Sequence, residues 1–346
     1  MTKQPTWTIR EATESDLELI RALYLDVWGY NRPLHYDQWR FFGSPDGICP
    51  MTLAVDGDRL AGAYSLWPVR IKVGDDSVLG AQSMDTMTHP DYGRQGIFTT
   101  LAEACYEAAA ARGFQVLYGF PNPLSYPGFT RRLTWAHTGD ITHWIRPVRP
   151  SGHGKIPGFA GPFADLAARM LPRGRRHGLE IIIAKPAAPD MDRLIGASAD
   201  RFARCRIERS ADWFDWRYGE AAENNYRWLS TYRDGTLIAT GAWGMQGPAW
   251  GDVGDNRAHL VELLGGDEQG LGAVLSAIIE DSAQAGAILL ETLSNVAPIT
   301  TALRRAGFFR HRQAPMIVRG LGDRAMDTVI LKHTNWKIMG GDVDTL

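Results

Sequence analysis

The sequence predicts a mixed α/β fold, helices around a mixed sheet, built twice along the chain. Three observations carry this expectation. At 346 residues the chain is too long for one ordinary domain and fits two of middling size. Strand-like and helix-like segments follow the same order in both halves. A local echo ties the halves together. Asn122 precedes Arg131-Arg132 at the same spacing as Asn295 precedes Arg304-Arg305, and each pair runs on to an aromatic residue, Trp135 or Phe308. Gly96 and Leu101 are matched by Gly270 and Leu275, so the pattern is that of a duplicated domain.

The first half opens with a short strand, Trp7 to Arg10. A helix follows from Asp16 to about Trp28, with Ser15 in the N-cap position and Leu17, Ile20, Leu23, Leu25 and Val27 supplying a buried face. Residues 51–73 read as two strands around the Asp56-Gly57 turn. A further strand runs toward Met87, then a loop, "HPDYGRQGIF", then an Ala-rich helix that stops at Gly113. "FQVLYGF" is a strand, "PNPLSYPGFTRRLTW" a short helix broken by proline, and "AHTGDITHWIRPV" a strand.

Residues 150–178 change character. "PSGHGKIPGFAGP" and "PRGRRHG" are loop signatures around a short apolar helix, about Phe163 to Leu171. This reads as a linker between residues 1–149 and 179–346, with the basic "RGRRH" a solvated stretch. The second half then repeats the series: a strand and helix over 180–202, a hairpin around Asp234-Gly235, the strand "AHLVELLG", the loop and helix "DEQGLGAVLSAIIEDSAQAG", and the strand "AILLETL".

Composition narrows the function. With 45% hydrophobic and 22% charged residues the chain is an ordinary globular one. A formal net charge of −2 gives no footprint for nucleic acid or an anionic membrane. There is no signal core and no membrane-spanning run, and Cys49, Cys105 and Cys205 make neither a disulfide framework nor a zinc site. The reading is a reduced, cytoplasmic protein, without metal, nucleic-acid partner or membrane insertion, and with room for a homodimer.

The loop before the Ala-rich helix has the makings of an anion site. The first N–H groups of a helix lack intrahelical partners, and the helix dipole adds positive charge there. Gly96 allows close approach, and Arg94 and Gln95 supply donors at the rim. Neither a dinucleotide loop nor a P-loop pattern is present.

With its flanking helix, its strand and the later "N…RRLTW", the run "THPDYGRQGIF" resembles the acyl-CoA core of the GNAT N-acetyltransferase superfamily. The repeat resembles a tandem GNAT protein, similar to nucleotide-amino-sugar N-acyltransferases. The family pattern is Arg/Gln-x-x-Gly-x-Gly/Ala. Gly96 matches its first glycine, whereas Gly93 and Phe98 depart from the flanking positions. In the second half Gly270 and Gly272 match both glycines, but Asp267 stands where Arg or Gln is usual, and an acid beside a pyrophosphate repels it.

The resemblance therefore implies an acyl-CoA co-substrate on the first half, held by Met87, Thr88, Arg94, Gln95, Gly96, Ile97 and Phe98, with Asn122 at the pantetheine arm. It implies transfer of the acyl group to an amine, which needs a proton acceptor and an oxyanion donor. Asp85, on the strand before the loop, is the first candidate base, and Glu262 is its counterpart in the second half. The family's usual acidic Tyr is missing at its position, where Phe129 or Thr130 falls; Tyr126 lies nearby. For the acceptor, Trp216, Arg217 and Tyr218 suit a base or sugar and a phosphate, and "NRPLHYDQWRFF" has a similar aromatic-basic texture. Asp342 and Asp344, after the Gly340-Gly341 turn, would draw in a cationic amine. A nucleotide-linked amino sugar is the expected acceptor. Other small amines, peptide Lys, or a silent acyl-CoA-binding role are the alternatives.

Overall fold

The computed structural model describes residues 6–174, 176, 178–198, 203–219, 225–245 and 256–344. Arg175 and His177 of the basic stretch, the end of the helix expected up to 202, and the last two residues, Thr345 and Leu346, lie outside the described residues.

The first half runs β1 (Thr8–Glu11), α1 (Leu17–Trp28), α2 (Leu34–Phe42), β2 (Met51–Asp56), β3 (Arg59–Val73), β4 (Asp76–Thr88), α3 (Ile97–Ala111), β5 (Val116–Gly119), α4 (Tyr126–Arg131) and β6 (Ala136–Pro147). A helix in the connecting segment, α5 (Gly161–Met170), follows. The second half repeats the series as β7 (Glu180–Ile182), α6 (Ala188–Ala197), β8 (Cys205–Ile207), α7 (Ala211–Arg217), β9 (Arg227–Arg233), β10 (Thr236–Met245), β11 (Arg257–Gly265), α8 (Glu268–Gln284), β12 (Leu289–Leu293), α9 (Ala297–Arg305) and β13 (Phe309–Gly320). A two-residue strand, β14 (Trp336–Lys337), comes near the end.

The strands form one mixed sheet in the order β1-β2-β3-β4-β5-β13-β6-β12-β11-β10-β9-β7. The two last strands are exchanged. β13 lies against β5 of the first half, β6 lies against β12 of the second, and the two pair with each other in the middle. Each half therefore completes the other's sheet. α3 packs its Ile97, Leu101, Ala102, Cys105 and Ala109 stripe on β2 and β3, all at 1% exposure or less. Small residues at 102, 105 and 109 let the helix sit close to the sheet. α8 repeats this on β9–β11 with Leu271, Val274, Leu275 and Ile278.

Two local expectations are corrected, for the first cap and for residues 211–217, and two further segments take their form from the structure. The cap of the first helical segment is at Thr13, not Ser15: Thr13 N–H donates to Asp16 Oδ2 at 2.8 Å, and a 3-10 turn over Glu14–Asp16 leads into α1. The run at 34–42 is a helix, α2. Its buried face carries Asp37 and Arg40 beside Tyr36, Trp39 and Phe41, so its charges point inward and hide the period. Residues 211–217 also form a helix, α7, where a loop is expected; the Ser210 hydroxyl accepts from Trp213 N–H at 3.1 Å. Finally, the tail docks beyond Met339: Val343 is 1% exposed and Asp342 3%.

Candidate active site

β4 and β5 pair in parallel only from Gly80–Gln82 against Val116–Tyr118, and then part. Beyond Gln82 the edge of β4 that faced β5 has lost its partner. On its other edge β4 carries a bulge. Met84 pairs with Ser65 and Met87 with Ala63, so Asp85 and Thr86 together face one residue of β3. Asp85 sits at φ +43°, a conformation Asp tolerates better than most residues. Bulges re-aim side chains, and this one stands at the wall of a cavity of about 270 Å³. Ser83–Thr86 form one wall and Gly119–Asn122 the other, with Ser125 and Phe129 of α4 below. Tyr24 and Trp28 of α1 and Tyr30 just after it cover it, and Asp344 reaches it from the far end of the chain.

A chain of alternating charge lies against this cavity. Arg32 Nε is 2.8 Å from Asp37 Oδ1, and its Nη1 donates to Asp85 Oδ2 at 2.8 Å. Arg40 Nε donates to the same Asp85 oxygen at 3.0 Å, and Arg40 Nη2 donates to Asp344 Oδ2 at 3.1 Å. Asp344 Oδ1 also accepts from Gln82 Nε2. Arg32 stacks over the Tyr24 ring at 3.9 Å. Arg21 Nε stands 4.0 Å from Asp37 Oδ2 at the other end, so three carboxyls alternate with three guanidiniums.

The two cavity carboxyls are tuned in opposite directions. Burial raises Asp85, but Arg32 and Arg40 outweigh it and hold the group at about 2. Asp344 is raised, by burial first and by the Asp85 charge, against Arg40 and Gln82. Burial also raises Asp37, against Arg32, to about 6. A carboxylate at about 2 clamped by two arginines is a poor proton acceptor. The base role expected of Asp85 does not suit these surroundings, whereas Asp344 meets one guanidinium and is raised.

The loop after β4 leads into α3 through Gly96 at φ +79°, a conformation only glycine adopts without strain. Gly96 offers no capping side chain, and a Cβ placed there would meet nothing closer than Thr99 Oγ1 at 4.0 Å. The Thr99 and Thr100 hydroxyls donate to Gly96 O, at 2.8 and 3.0 Å, and are turned away from the leading amides. Arg94 is exposed at the rim, while Gln95 Oε1 accepts from Trp7 Nε1 at 3.1 Å. In the second half the counterpart is closed. The Asp267 carboxylate accepts from Gln269 N–H at 2.7 Å and Gly270 N–H at 3.0 Å, and pairs with Arg233 at 2.8 Å. The connecting segment also lies on α8: a Cβ on Gly174 would come within 1.7 Å of Gly272 O. An intramolecular carboxylate therefore fills the second anion site, and backbone covers it.

The remaining expected site residues divide clearly. Asn122 stands at the cavity wall, where its Oδ1 accepts from Leu124 and Ser125 N–H, both at 2.9 Å, as a helix cap. Met87 and Ile97 bury their side chains in the core, Thr88 is half-buried, and Phe98 packs on Phe129. What these four offer a ligand is backbone. Tyr126 lies outside this cavity, in an adjoining cleft, with its hydroxyl 3.0 Å from His137 Nδ1. Glu262 is fully buried beside Arg209 (3.1 Å) and the Tyr218 hydroxyl (3.2 Å), and Arg209 also holds Asp342 at 2.6 Å. Trp216 packs on Trp39 and Trp67. Arg217 donates to the carbonyls of Gly341 and Val343, both at 3.2 Å. Glu262, Trp216, Arg217, Tyr218 and Asp342 lie where the halves meet and do not line this cavity. Among the described residues no cluster of His, Cys, Asp or Glu could hold a metal, and no helix is long and apolar enough to cross a membrane.

Sequence reasoning singles out the stretch 31–42 without naming Arg32, Asp37 and Arg40 in it, and misses Tyr24 and Tyr30. The signal was present: Tyr36 and Arg40 stand four apart after Pro33, a helical spacing that puts both on one face.

Comparison with known proteins agrees with this architecture. Residues 8–138 match the family model described as Acetyltransferase (GNAT) domain. No curated protein matches the sequence. Among solved structures, a tandem GNAT protein from the clavulanic acid biosynthesis pathway is similar over 91% of this chain and 99% of its own, with TM-score 0.60 and 16% identity. A GCN5-related N-acetyltransferase from Anabaena variabilis covers 90% and 72%, with TM-score 0.62 and 10% identity. Saccharomyces cerevisiae N-myristoyltransferase, solved with myristoyl-CoA, covers 92% and 80%, with TM-score 0.62 and 12% identity. At these identities the likeness is one of fold: two GNAT-like units share one mixed sheet.

Proposed function

We propose that the protein is an acyl-CoA-dependent N-acyltransferase working in the cavity where β4 and β5 part. The observation that carries this reading is the cavity at the β4 bulge, where the two carboxyls in its wall differ: Asp85 is clamped by two guanidiniums, while Asp344 meets one and is raised by burial. An ammonium entering the cavity is drawn toward the Asp344 carboxyl. Asp344 then takes its proton and leaves a neutral nucleophile. Asp85 acts as the clamp that holds Arg32 and Arg40 in place. The open edge of β4 beyond Gln82 supplies N–H donors for a developing oxyanion.

Acyl-CoA fits the first half. The uncapped start of α3 at Gly96 and exposed Arg94 suit its pyrophosphate, and Asn122 stands beside the cavity for the arm. Acyl-CoA supplies an activated thioester carbonyl and a thiolate leaving group, which needs no strong acid from the chain. With α8 capped by Asp267 and covered by the connecting segment, one acyl-CoA binds per chain.

An amino sugar, free or nucleotide-linked, is the acceptor class. The Trp28 ring, 47% exposed at the cavity mouth, offers a face for a sugar ring, and Ser83, Thr86 and Asn122 offer polar partners. The test is thiol release from acetyl-CoA and longer acyl-CoAs, with free and nucleotide-linked amino sugars, aminoglycosides and Lys peptides as acceptors. Release that depends on an amino sugar is the expected result. Release only with another amine would move the acceptor class. Acyl-CoA binding with no release for any amine would mean a silent binding protein.

A further inference from the structure

A second cavity, of about 530 Å³, lies on the opposite half of the molecule, between the end of β6, helix α5 and the last turns of α8. Four arginines line it: Arg146, Arg149, Arg169 and Arg173. The one carboxylate in its wall, Glu280, is already held by Arg176 at 2.8 Å. None of the four arginines makes an ion pair among the described residues.

Arg146 is the unusual member. It is 1% exposed, and its Nε and Nη1 are buried with no hydrogen-bond partner. Its guanidinium fits beside Gly307, at φ +78°, because that residue has no side chain: a Cβ there would come within 2.2 Å of Arg146 Nη1. Burial and the neighbouring Arg173 push Arg146 down to about 10, and it stays charged at neutral pH. A buried, unpaired guanidinium is strongly unfavourable. Here it stands with three more cations around a cavity large enough for a ligand. Planar guanidiniums in convergent positions are suited to the oxygens of a phosphate.

We propose that this cavity is a binding site for a phosphate or diphosphate group, separate from the acyl-transfer cavity. Arg146 is its buried anchor, and Arg149, Arg169 and Arg173 close around the anion. The same chemistry is offered by a free phosphate compound and by an anionic lipid headgroup. The second source matters because α5 carries an exposed apolar stripe beside the site: Phe163 at 74%, Leu166 at 57% and Met170 at 78%, with Phe159 at 82% just before the helix.

The experiment uses the full chain, with calorimetry and thermal melts in phosphate-free buffer against inorganic phosphate and pyrophosphate. Sedimentation with phosphatidylcholine vesicles, with and without phosphatidylglycerol, forms the second arm. The expected result is a melting temperature that rises with phosphate or pyrophosphate, or co-sedimentation only with the anionic vesicles. Arg146→Gln should weaken that binding about 10- to 100-fold, the loss of a charged hydrogen-bonding partner. The same variant should melt no lower than the wild type in phosphate-free buffer, because it removes an unpaired buried charge. Arg169→Ala, at the cavity surface, should also weaken binding and keeps the test open if Arg146→Gln fails to fold. Arg94→Ala, at the other anion site, should leave this binding unchanged. Phe163→Ser separates the sources: it abolishes vesicle binding if the ligand is a lipid, and leaves pyrophosphate binding intact. Binding of neither phosphate compounds nor anionic vesicles would overturn the proposal, as would binding that survives both arginine substitutions.

Discussion

Two carboxyls of one cavity, Asp85 and Asp344, have the same side chain and different chemistry. The difference is the number of guanidiniums each meets. Asp85 accepts from two, Arg32 and Arg40, and Asp344 from Arg40 alone. Asp344→Asn is expected to lower turnover roughly 10²–10⁴-fold with acyl-CoA affinity unchanged. Since the base works only when deprotonated, the wild-type rate should climb with pH through a value above the ordinary carboxyl range, and the variant should lose that limb. A pH–rate profile of both proteins checks this. Asp85→Asn should act first on stability, because removing one partner from a buried charge cluster costs about 3–5 kcal/mol. The Asp85 value is depressed from 3.8 to about 2, so its contribution is present above 3.8 and disappears as pH falls toward 2. Melts from pH 5 down to pH 2 should show a steeper loss in the wild type than in Asp85→Asn.

At the scale of elements, α3 and α8 are the same strand–loop–helix device with opposite fillings. α3 leaves its leading amides open behind Gly96, and α8 satisfies its own with Asp267. Gly96→Glu forces a side chain into positive φ and sets a negative charge at the phosphate position. It should weaken acyl-CoA binding markedly while circular dichroism shows the fold retained. Asp267→Ala removes a helix cap and should lower stability by about 1 kcal/mol, with acyl-CoA affinity and a one-to-one stoichiometry unchanged in titration calorimetry. A second acyl-CoA bound by Asp267→Ala would show that this carboxylate alone closes the second site.

The whole molecule is held together by exchange. β13 covers the edge of β5 and β6 covers the edge of β12, so neither half has a finished sheet of its own. The end of the chain adds a second lock. Tyr118 donates to Asp342 O at 2.9 Å, Arg217 holds Gly341 and Val343, and Asp344 reaches Arg40 of the first half. A truncation removing residues 341–346 is therefore expected to lower the melting temperature and abolish turnover together. Turnover lost at a wild-type melting temperature would assign the tail to the acceptor pocket alone.

The sequence by itself determined the duplicated mixed α/β plan, the strand–loop–helix at Gly96 and the reading of Asp267 as an acid in a place meant for an anion. Each of these is local. Hydrophobic period, turn chemistry and helix capping act over a few residues and leave a direct trace in the order of residues. Of the expected acyl-transfer residues, Asp85, Asn122 and Asp344 reach one cavity, and all three could be named without a fold in hand. Tertiary structure alone decided the rest. Asp37 and Arg40 are charged residues on the buried face of α2, with buried Arg32 just before it, so the period that marks a helix was masked by residues that matter most in it. Trp216, Arg217 and Tyr218 have the composition of a ligand site, and only the packing of α7 against α2 and the tail shows that they join the halves. The strand exchange left no local mark. β6 and β13 have the alternation of ordinary strands, and which neighbour each one meets is set by the global geometry of the sheet.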